Sequence, residues 1–358
     1  MAKLIAVDTA DGPAFVARLR DAWDAGHAVF PLDHRVPEPT RFRLLDAVHA
    51  ADDVDAGDAL VLATSGTTGD PRGVVLTHEA VGASAAATSN RLGVDRATDR
   101  WLACLPLAHV GGLSVVTRAL ITGTRLVTHT GFDAAAVTAA AHDGATLVAL
   151  VPTALGRIDP ALFRRIVLGG SAPPAALPTN VTTTYGMTET GSGIVYDGLP
   201  LDGVDIAIDR DGQILVRGPM LLRCYRDGTD PKDPDGWLAT GDAGDWTPDR
   251  RLIVRGRMAD LIITGGENVW PAAVEAILAE HPAVAEVVVI GRPDAEWGER
   301  VVAVVVPARA GDPPTLDELR GFVRERLASW AAPRELELVT SLPRTSIGKV
   351  RRSRASGL

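Results

Sequence analysis

The chain has 358 residues, of which 46% are hydrophobic and 23% charged, a composition typical of a globular protein of about two domains. A formal net charge of -9 provides no basic field for a nucleic-acid backbone or an anionic membrane surface, so we expect no nucleic-acid partner and a small-molecule ligand instead. The sequence has no apolar run of membrane-spanning length and no signal-peptide pattern at its start. We therefore expect no membrane insertion and a cytoplasmic location.

Cysteine and lysine are both rare. The two cysteines, Cys104 and Cys224, lack metal-ligand spacing, which argues against a zinc site or a disulfide framework and predicts two plain core residues. The three lysines are Lys3, Lys232 and Lys349 among 36 basic residues. A lysine retained in an arginine-rich neighbourhood is therefore less easily explained as a generic surface charge.

The first two hundred residues alternate helical and strand patterns. Helical spacing is present at residues 15–25, 78–90 and 134–142, and short apolar runs predict strands at 59–63, 101–105, 125–127, 147–151 and 166–168. Runs of this kind, ended by proline or glycine, are typical of a largely buried sheet. Ligands of such a sheet bind in the loops at the ends of its strands.

The pattern changes twice further along the chain. Residues 203–254 read as short alternating strands of a small β-rich subdomain. The tail predicts helices at 272–280 and 316–327 and strands at 284–290 and 301–306, enough for an independent α+β domain. The predicted fold class is thus multi-domain α/β. A large N-terminal domain with its β-rich subdomain (1–256) is joined by a hinge at 257–259 to a small C-terminal domain (257–358).

The strongest local signal is the string TSGTTGDPRGV at residues 64–74, directly after a predicted strand. Such a loop can turn backbone N–H groups and hydroxyls toward one point, as polyphosphate binding requires. It is not the Walker pattern, and a generic cluster of this composition is more often a flexible surface turn. The string resembles the phosphate loop of the adenylate-forming superfamily, which includes acyl-CoA synthetases, luciferases and peptide-synthetase adenylation domains. The residues it assigns to nucleotide binding are Thr64, Ser65, Gly66, Thr67, Thr68, Gly69 and Arg72.

This resemblance predicts further motifs in a fixed order, and the sequence contains them. They are TTYGMTET at 183–190, GQILVRG at 212–218, WLATGD at 237–242, RGRMAD at 255–260, ITGGEN at 263–268 and PRTSIGKV at 343–350. Each motif alone is weak evidence. Because all of them occur in the family's order between residue 64 and residue 350, a chance match is negligible.

The resemblance implies an ATP-dependent acid–thiol ligase. Such an enzyme activates a carboxylic acid as its acyl-adenylate with Mg²⁺ and ATP and then passes the acyl group to a thiol, here coenzyme A. Lys349, Glu189 and His109 are implied to be catalytic, with Glu189 as the magnesium ligand. Further nucleotide contacts are implied for Gly169, Gly170, Ser171, Tyr185, Gly186, Thr188, Asp242 and Arg257, and Gly265 and Gly266 are implied to lie in the loop on the coenzyme A side.

Each residue type suits the function that the resemblance implies. Glu189 offers the hard oxygen ligands that Mg²⁺ prefers. Asp242 can accept hydrogen bonds from two vicinal ribose hydroxyls, and Tyr185 offers a flat face to adenine. Lys349 is a mobile point charge for the developing transition state. The alternatives are a helix-cap charge for Glu189, a turn residue for Asp242 and a half-buried core aromatic for Tyr185.

The chain departs from the family pattern at three places. Arg72 stands where many relatives have lysine, and Ala259 stands where the hinge often carries Asp or Lys. The phosphate loop begins at residue 64, so the region before it is shorter than in most relatives. Such trimming is similar to that of short o-succinylbenzoate-CoA ligases of menaquinone biosynthesis from high-GC bacteria. The segment GGENVWP at 265–271 also resembles theirs, although other acyl-CoA ligases share it.

Arg118 is the candidate for substrate recognition, together with His109. A lone arginine in the apolar, helix-like run at 112–120 is unexpected unless it has an anionic partner or lies at the surface. In o-succinylbenzoate-CoA ligases an arginine stands at the matching place. The resemblance therefore implies that Arg118 anchors the remote carboxylate of the substrate, and a surface arginine on an amphipathic helix is the alternative.

Three other functions compete with this one. The chain could be a fatty-acyl or aryl-CoA ligase or an enzyme that loads a carrier protein. It could be a catalytically silent nucleotide-binding relative, although such proteins usually lose the magnesium glutamate or the C-terminal lysine, and this chain keeps both. An α/β dinucleotide-binding oxidoreductase would need G-x-G-x-x-G after the first strand, and residues 65–69 do not supply it. A homodimer is also open.

Overall fold

The computed structural model describes residues 1–65, 71–174, 176–343 and 352. The chain divides into two compact units. The first comprises Met1–Ala207, Leu215–Ala239 and Trp246–Leu252, and the second comprises Ile208–Ile214, Thr240–Asp245 and Ile253–Leu358. The hinge and the boundary that the sequence predicts after residue 256 stay predictions.

The first unit opens with a mixed sheet whose central strands are buried. In chain order its first elements are β1 (Ala2–Asp8), α1 (Gly12–Asp24), β2 (Ala28–Leu32), α2 (Glu38–Ala47), β3 (Asp53–Val54), β4 (Asp58–Ser65) and β5 (Pro71–Thr77). β1, β2 and β4 run parallel, and β5 pairs antiparallel with β4. All residues of β2 are buried. The strand is a continuous apolar run, which is typical of a parallel strand that is covered on both faces.

A second sheet follows from residue 78 onward. Its helices and strands are α3 (His78–Leu92), β6 (Arg100–Ala103), α4 (Val110–Thr122), β7 (Arg125–Thr128), α5 (Ala134–His142), β8 (Leu147–Leu150), α6 (Pro152–Leu155), β9 (Arg165–Leu168), β10 (Val181–Met187), β11 (Ser192–Tyr196) and β12 (Leu199–Pro200). The strand order is β12-β11-β10-β9-β8-β6-β7. β10, β9, β8, β6 and β7 are parallel, so their carboxyl ends share one edge of the sheet. The side chains of Leu102, Val148 and Ile166 lie in its core.

Shorter strands make up the middle of the chain. They are β13 (Asp205–Ile208), β14 (Gln213–Arg217), β15 (Cys224–Tyr225), β16 (Leu238–Trp246) and β17 (Leu252–Arg257). β13, β14, β16 and β17 form a four-stranded sheet in that order. β15 joins the first sheet, whose full order is β15-β5-β4-β2-β1-β3.

The tail is an α+β arrangement, as the sequence predicts. Its elements are β18 (Ile262–Thr264), β19 (Glu267–Val269), α7 (Pro271–Leu278), β20 (Val284–Asp294), β21 (Gly298–Pro307), α8 (Leu316–Arg324) and β22 (Glu335–Leu338). The sheet order is β19-β18-β21-β20, and β22 lies parallel to β21. A capping box between Thr315 and Glu318 starts α8, because each residue satisfies a backbone N–H of the other.

The predicted mixed α/β class is confirmed, and both cysteines are buried and free, as predicted. The structure corrects the prediction of one loop over residues 64–74. β4 extends through Ser65, β5 begins at Pro71, and Thr64 pairs with Arg72 across the two strands. The physical reason is the buried apolar run Val74, Val75 and Leu76, which makes the second half of the segment a core strand. Among the described residues, no helix is long and apolar enough to cross a membrane.

Candidate functional site

The phosphate-loop motif starts on β4 and ends on β5. The register places Thr64 opposite Arg72, so the two lie at the same end of the hairpin. Gly66, Thr67, Thr68 and Gly69 lie outside the described residues. An amine of the Arg72 guanidinium donates to Asp227 at 2.9 Å, and the carbon at its centre lies 3.7 Å from the centroid of the Tyr225 ring.

Glu189 follows the carboxyl end of β10 in a short 3-10 turn, Thr188–Thr190. The buried Thr190 hydroxyl fixes this turn, since it accepts from the N–H of Met187 at 2.9 Å. The Glu189 side chain is largely buried, with 8% of its residue surface exposed. Its Oε1 accepts a hydrogen bond from the Tyr225 hydroxyl at 3.1 Å. A buried carboxylate is held here with a defined orientation.

Gly169, Gly170 and Ser171 follow β9 directly, and β9 is the parallel neighbour of β10. Both strands therefore end at the same edge, and the glycines lie beside the segment that carries Tyr185 and Gly186. A Cβ on Gly169 would lie 2.8 Å from Thr184 Cγ2, and one on Gly186 would lie 2.2 Å from the Ser192 carbonyl oxygen. Neither position has room for a side chain. Tyr185 is half-buried, and its backbone lies where the register between β10 and β11 shifts.

His109 is the N-cap residue of α4, at the start of the helix that carries Arg118. Its Nε2 lies 3.9 Å from Asp33 Oδ2, and Asp33 is buried at the carboxyl end of β2. Arg35 donates to both Asp33 oxygens, at 2.8 Å and 2.6 Å. Burial alone would raise the pKa of Asp33, but the hydrogen bonds and charge of Arg35 outweigh it and hold that pKa below its usual value. Asp33 is therefore an ionised carboxylate beside the histidine.

Arg118 is only 2% exposed, which excludes the surface arginine that the sequence left as an alternative. One guanidinium amine donates to Ser192 Oγ at 3.2 Å, and the group lies 4.9 Å from the Trp101 ring centroid. Its Nε and other amine have no hydrogen-bond partner among the described residues. Burial lowers the pKa of Arg118. A cavity of about 10 Å³ beside it, lined in part by Ser114 and Thr117, has room for about one water molecule.

The remaining candidates lie in the second unit. Asp242 is buried. The Nε of Arg257 lies 3.0 Å from its Oδ1, and a terminal nitrogen of the same guanidinium donates to the Thr240 carbonyl at 3.0 Å. Gly265 and Gly266 form the two-residue turn between β18 and β19, with φ of +61° and +82°. A hairpin turn with two positive φ angles requires residues such as glycine. Lys349 lies outside the described residues.

Several polar residues at these sites were not expected from the sequence: Tyr225, Asp227, Asp33, Arg35 and Ser192. Tyr225 belongs to a two-residue strand that no periodicity could identify. Asp33 directly follows the apolar run of β2, so a search for polar residues at strand ends could have found it. Tyr225 and Glu189 are 36 residues apart in the sequence, so only the folded chain shows that they are in contact.

The donor set around Glu189 suits a magnesium ion. Among the described residues no group of three or more His, Cys, Asp or Glu side chains could hold a metal by itself. Mg²⁺ bound with a nucleotide usually takes one or two protein carboxylates and completes its shell with phosphate oxygens and water. The single buried carboxylate of Glu189 therefore fits that ion.

Comparisons with known proteins agree with these features. The family described as AMP-binding enzyme matches residues 7–226, and the AMP-binding enzyme C-terminal domain matches residues 273–349. A protein of Mycobacterium tuberculosis named probable 2-succinylbenzoate–CoA ligase is 39% identical over 344 residues, which cover 89% of this chain and 89% of that protein.

Two solved structures of o-succinylbenzoate-CoA synthetase from Bacillus subtilis are also similar. The complex with the acyl-adenylate intermediate is 32% identical with a TM-score of 0.78 and covers 94% of this chain and 80% of its own. The complex with ATP and magnesium ion is 29% identical with a TM-score of 0.87, and the match covers 98% of this chain and 89% of that structure's chain. The chain therefore belongs to the AMP-binding enzyme family of adenylate-forming ligases.

Proposed function

We propose that this chain is an o-succinylbenzoate-CoA ligase, which converts o-succinylbenzoate, ATP and coenzyme A to o-succinylbenzoyl-CoA, AMP and pyrophosphate. The alternatives are another acyl- or aryl-CoA ligase, or an adenylating enzyme that loads a carrier protein. Relatives that carry the name of this ligase support the first choice. The structural observation that carries it is the buried guanidinium of Arg118.

A buried cation without an anionic partner is costly, because burial removes its hydration and nothing replaces it. Arg118 has one neutral hydrogen-bond partner, Ser192, and two N–H-bearing nitrogens without one in the described part of the chain. A substrate with a second carboxylate would supply the missing charge and acceptors. A simple fatty acid has no such group to offer, so the arginine favours a dicarboxylic acid over a monocarboxylic one.

In the first half-reaction the substrate carboxylate attacks the α-phosphorus of ATP, the bond to the β-phosphate oxygen breaks, and pyrophosphate leaves. When bound, Mg²⁺ neutralises phosphate charge. Glu189 would hold this ion, and Arg72 would pair with phosphate oxygens. Tyr185 offers a face to adenine, Asp242 accepts from the ribose hydroxyls, and Lys349 carries positive charge to the attacking oxygen.

In the second half-reaction the thiol of coenzyme A attacks the acyl carbon, loses its proton, and AMP leaves. We assign the glycine turn at Gly265 and Gly266 to this step. Because the turn has no side chains, it can lie close to an extended ligand such as the pantetheine arm. A rotation of the C-terminal domain about residues 257–259 is the motion that we propose between the two steps.

The direct test is to incubate the protein with o-succinylbenzoate, ATP, Mg²⁺ and coenzyme A and to measure AMP and thioester. Octanoate and benzoate serve as matched monocarboxylic acids. We expect AMP and thioester with o-succinylbenzoate at a rate well above that with either control. Release of ADP would refute the adenylation chemistry, and faster turnover of octanoate would leave only a general acyl-CoA ligase.

Three further properties are proposed with the function. The first is a cytoplasmic location, which cell fractionation can check. The second is the absence of nucleic-acid binding, which an electrophoretic mobility shift assay can check. The third is a homodimer, which analytical sedimentation can check. The net charge of -9 supports the second, because a nucleic-acid backbone would be repelled.

A further inference from the structure

Tyr225 lies between two residues that the proposed function assigns to Mg²⁺ and phosphate. It belongs to β15, which pairs antiparallel with β5 and places Tyr225 opposite Val74. Its hydroxyl reaches Glu189 on one side, at 3.1 Å. On the other side, the central carbon of the Arg72 guanidinium lies 3.7 Å from the centroid of its ring. One side chain thus contacts both the carboxylate and the cation.

The contact with Glu189 has a fixed direction. The phenol O–H donates and the Glu189 Oε1 accepts. Hydrogen bonds to charged groups in buried places are stronger than neutral ones, and this bond limits the rotation of the Glu189 carboxylate.

Two side chains contact the Arg72 guanidinium, the Tyr225 ring and the Asp227 carboxylate. A planar guanidinium stacks on an aromatic ring better than an ammonium does, which suits arginine at this position. Asp227, two residues after Tyr225, accepts from Arg72 at 2.9 Å. Asp227 is itself fixed, since its Oδ1 accepts from the N–H of Thr229 at 2.9 Å. Segment 225–227 therefore fixes the direction of Arg72 beside the hairpin of β4 and β5.

We propose that Tyr225 is a positioning residue for adenylation: its hydroxyl orients the Glu189 carboxylate toward Mg²⁺, and its ring, with Asp227, holds Arg72 toward the ATP phosphates. This inference rests on the proposed function, because the assignments of Glu189 and Arg72 come from it. Groups that orient a metal-binding carboxylate affect metal affinity although they never contact the metal.

The test is Tyr225→Phe, which removes the hydroxyl and keeps the ring under Arg72. We expect the Mg²⁺ concentration for half-maximal ATP–pyrophosphate exchange to rise about tenfold, as for other residues that orient metal ligands. The KM for the acid and thioester formation from supplied acyl-adenylate should stay as in the wild type. Tyr196→Phe is the matched control, because that buried hydroxyl hydrogen-bonds to Thr88, at 3.4 Å, and in the described part of the chain makes no hydrogen bond to Glu189 or Arg72. It should leave the Mg²⁺ dependence unchanged.

A second variant separates the two contacts. Asp227→Asn keeps Tyr225 and removes the charge that pairs with Arg72, so we expect a higher KM for ATP with an unchanged Mg²⁺ dependence. Binding of a non-hydrolysable ATP analogue, followed by tryptophan fluorescence at several Mg²⁺ concentrations, gives a readout without turnover. An unchanged Mg²⁺ dependence in Tyr225→Phe, or equal loss in both half-reactions, would overturn the inference. A wild-type protein that forms no AMP with any acid would instead count against the proposed function, and the binding titration would still test Tyr225.

Discussion

At the scale of single residues, Arg118 gives the sharpest prediction. Arg118→Ala removes the buried guanidinium, so a second substrate carboxylate would lose its partner inside the protein. We expect the KM for o-succinylbenzoate to rise by an amount equivalent to about 2 to 5 kcal/mol, while the KM for ATP stays near the wild-type value. Steady-state kinetics with each substrate varied in turn measure both quantities.

Ser192→Ala is the matched control for Arg118. It removes the neutral hydroxyl that accepts from the guanidinium at 3.2 Å and leaves the charge in place. Its effect on the KM for o-succinylbenzoate should be much smaller. If Arg118→Ala leaves that KM unchanged, the arginine does not bind the substrate and the choice of a dicarboxylic acid loses its structural support.

At the scale of strands and helices, Asp99 joins three segments at the amino-terminal edge of the second sheet. It lies just before β6 and accepts from the Arg164 guanidinium at 2.8 Å and from the Thr146 hydroxyl at 2.8 Å. Thr146 directly precedes β8, and Arg164 directly precedes β9. Because Asp99 is 2% exposed, a neutral amide there would leave these donors poorly matched. Asp99→Asn should lower the free energy of unfolding by about 1 to 2 kcal/mol at pH 7, as measured by urea denaturation, because the Arg164 side chain is 40% exposed and water can solvate it.

The pH dependence has a definite sign. Burial raises the pKa of Asp99, but the hydrogen bonds from Arg164, Asp95 and Thr146 outweigh it and hold the pKa below its usual value. Stability from this carboxylate is thus present above pH 4 and disappears as pH falls through the depressed pKa. The difference between wild type and Asp99→Asn should shrink at pH 3. Asp133→Asn is the control, since asparagine caps α5 as well as aspartate does, and a large loss there would show that the method does not isolate Asp99.

The helices and strands that could be predicted from the sequence are those that bury a periodic or continuous apolar pattern. Helix α5 matches the predicted 134–142 at both ends. No strand was predicted before residue 59, so β1 and β2 were missed. Prediction also failed for β5 and β15, where pairing between distant segments, and not local pattern, determines the strand. At the site, the resemblance predicts roles for Glu189 and Arg118 but says nothing of their hydrogen-bond partners. Tyr225 and Ser192 contact them across distances in sequence that no local pattern records.

At the scale of the whole molecule, the two half-reactions should separate by mutation. We expect Lys349→Ala to abolish most acyl-adenylate formation and to spare thioester formation from supplied acyl-adenylate, because we propose that the C-terminal domain presents the lysine to one step only. Rapid-quench assays of each half-reaction measure this. Lys232→Ala is the control, since that amine is tied to the Leu222 and Arg223 carbonyls. Equal loss in both half-reactions of Lys349→Ala would argue against a domain rotation.

The pairing of β15 with β5 has a consequence for how the protein is made. Arg72 and Asp227 are 155 residues apart in the chain, so their contact depends on a segment that the ribosome produces much later than β4 and β5. Until Tyr225 has emerged, a nascent chain can form β4 and β5 but leaves the outer edge of β5 without its partner strand. An open strand edge of this kind is a template for wrong pairing with other chains. Early synthesis therefore exposes the growing chain to aggregation at the same place where Tyr225 contacts Glu189 and Arg72 in the finished protein.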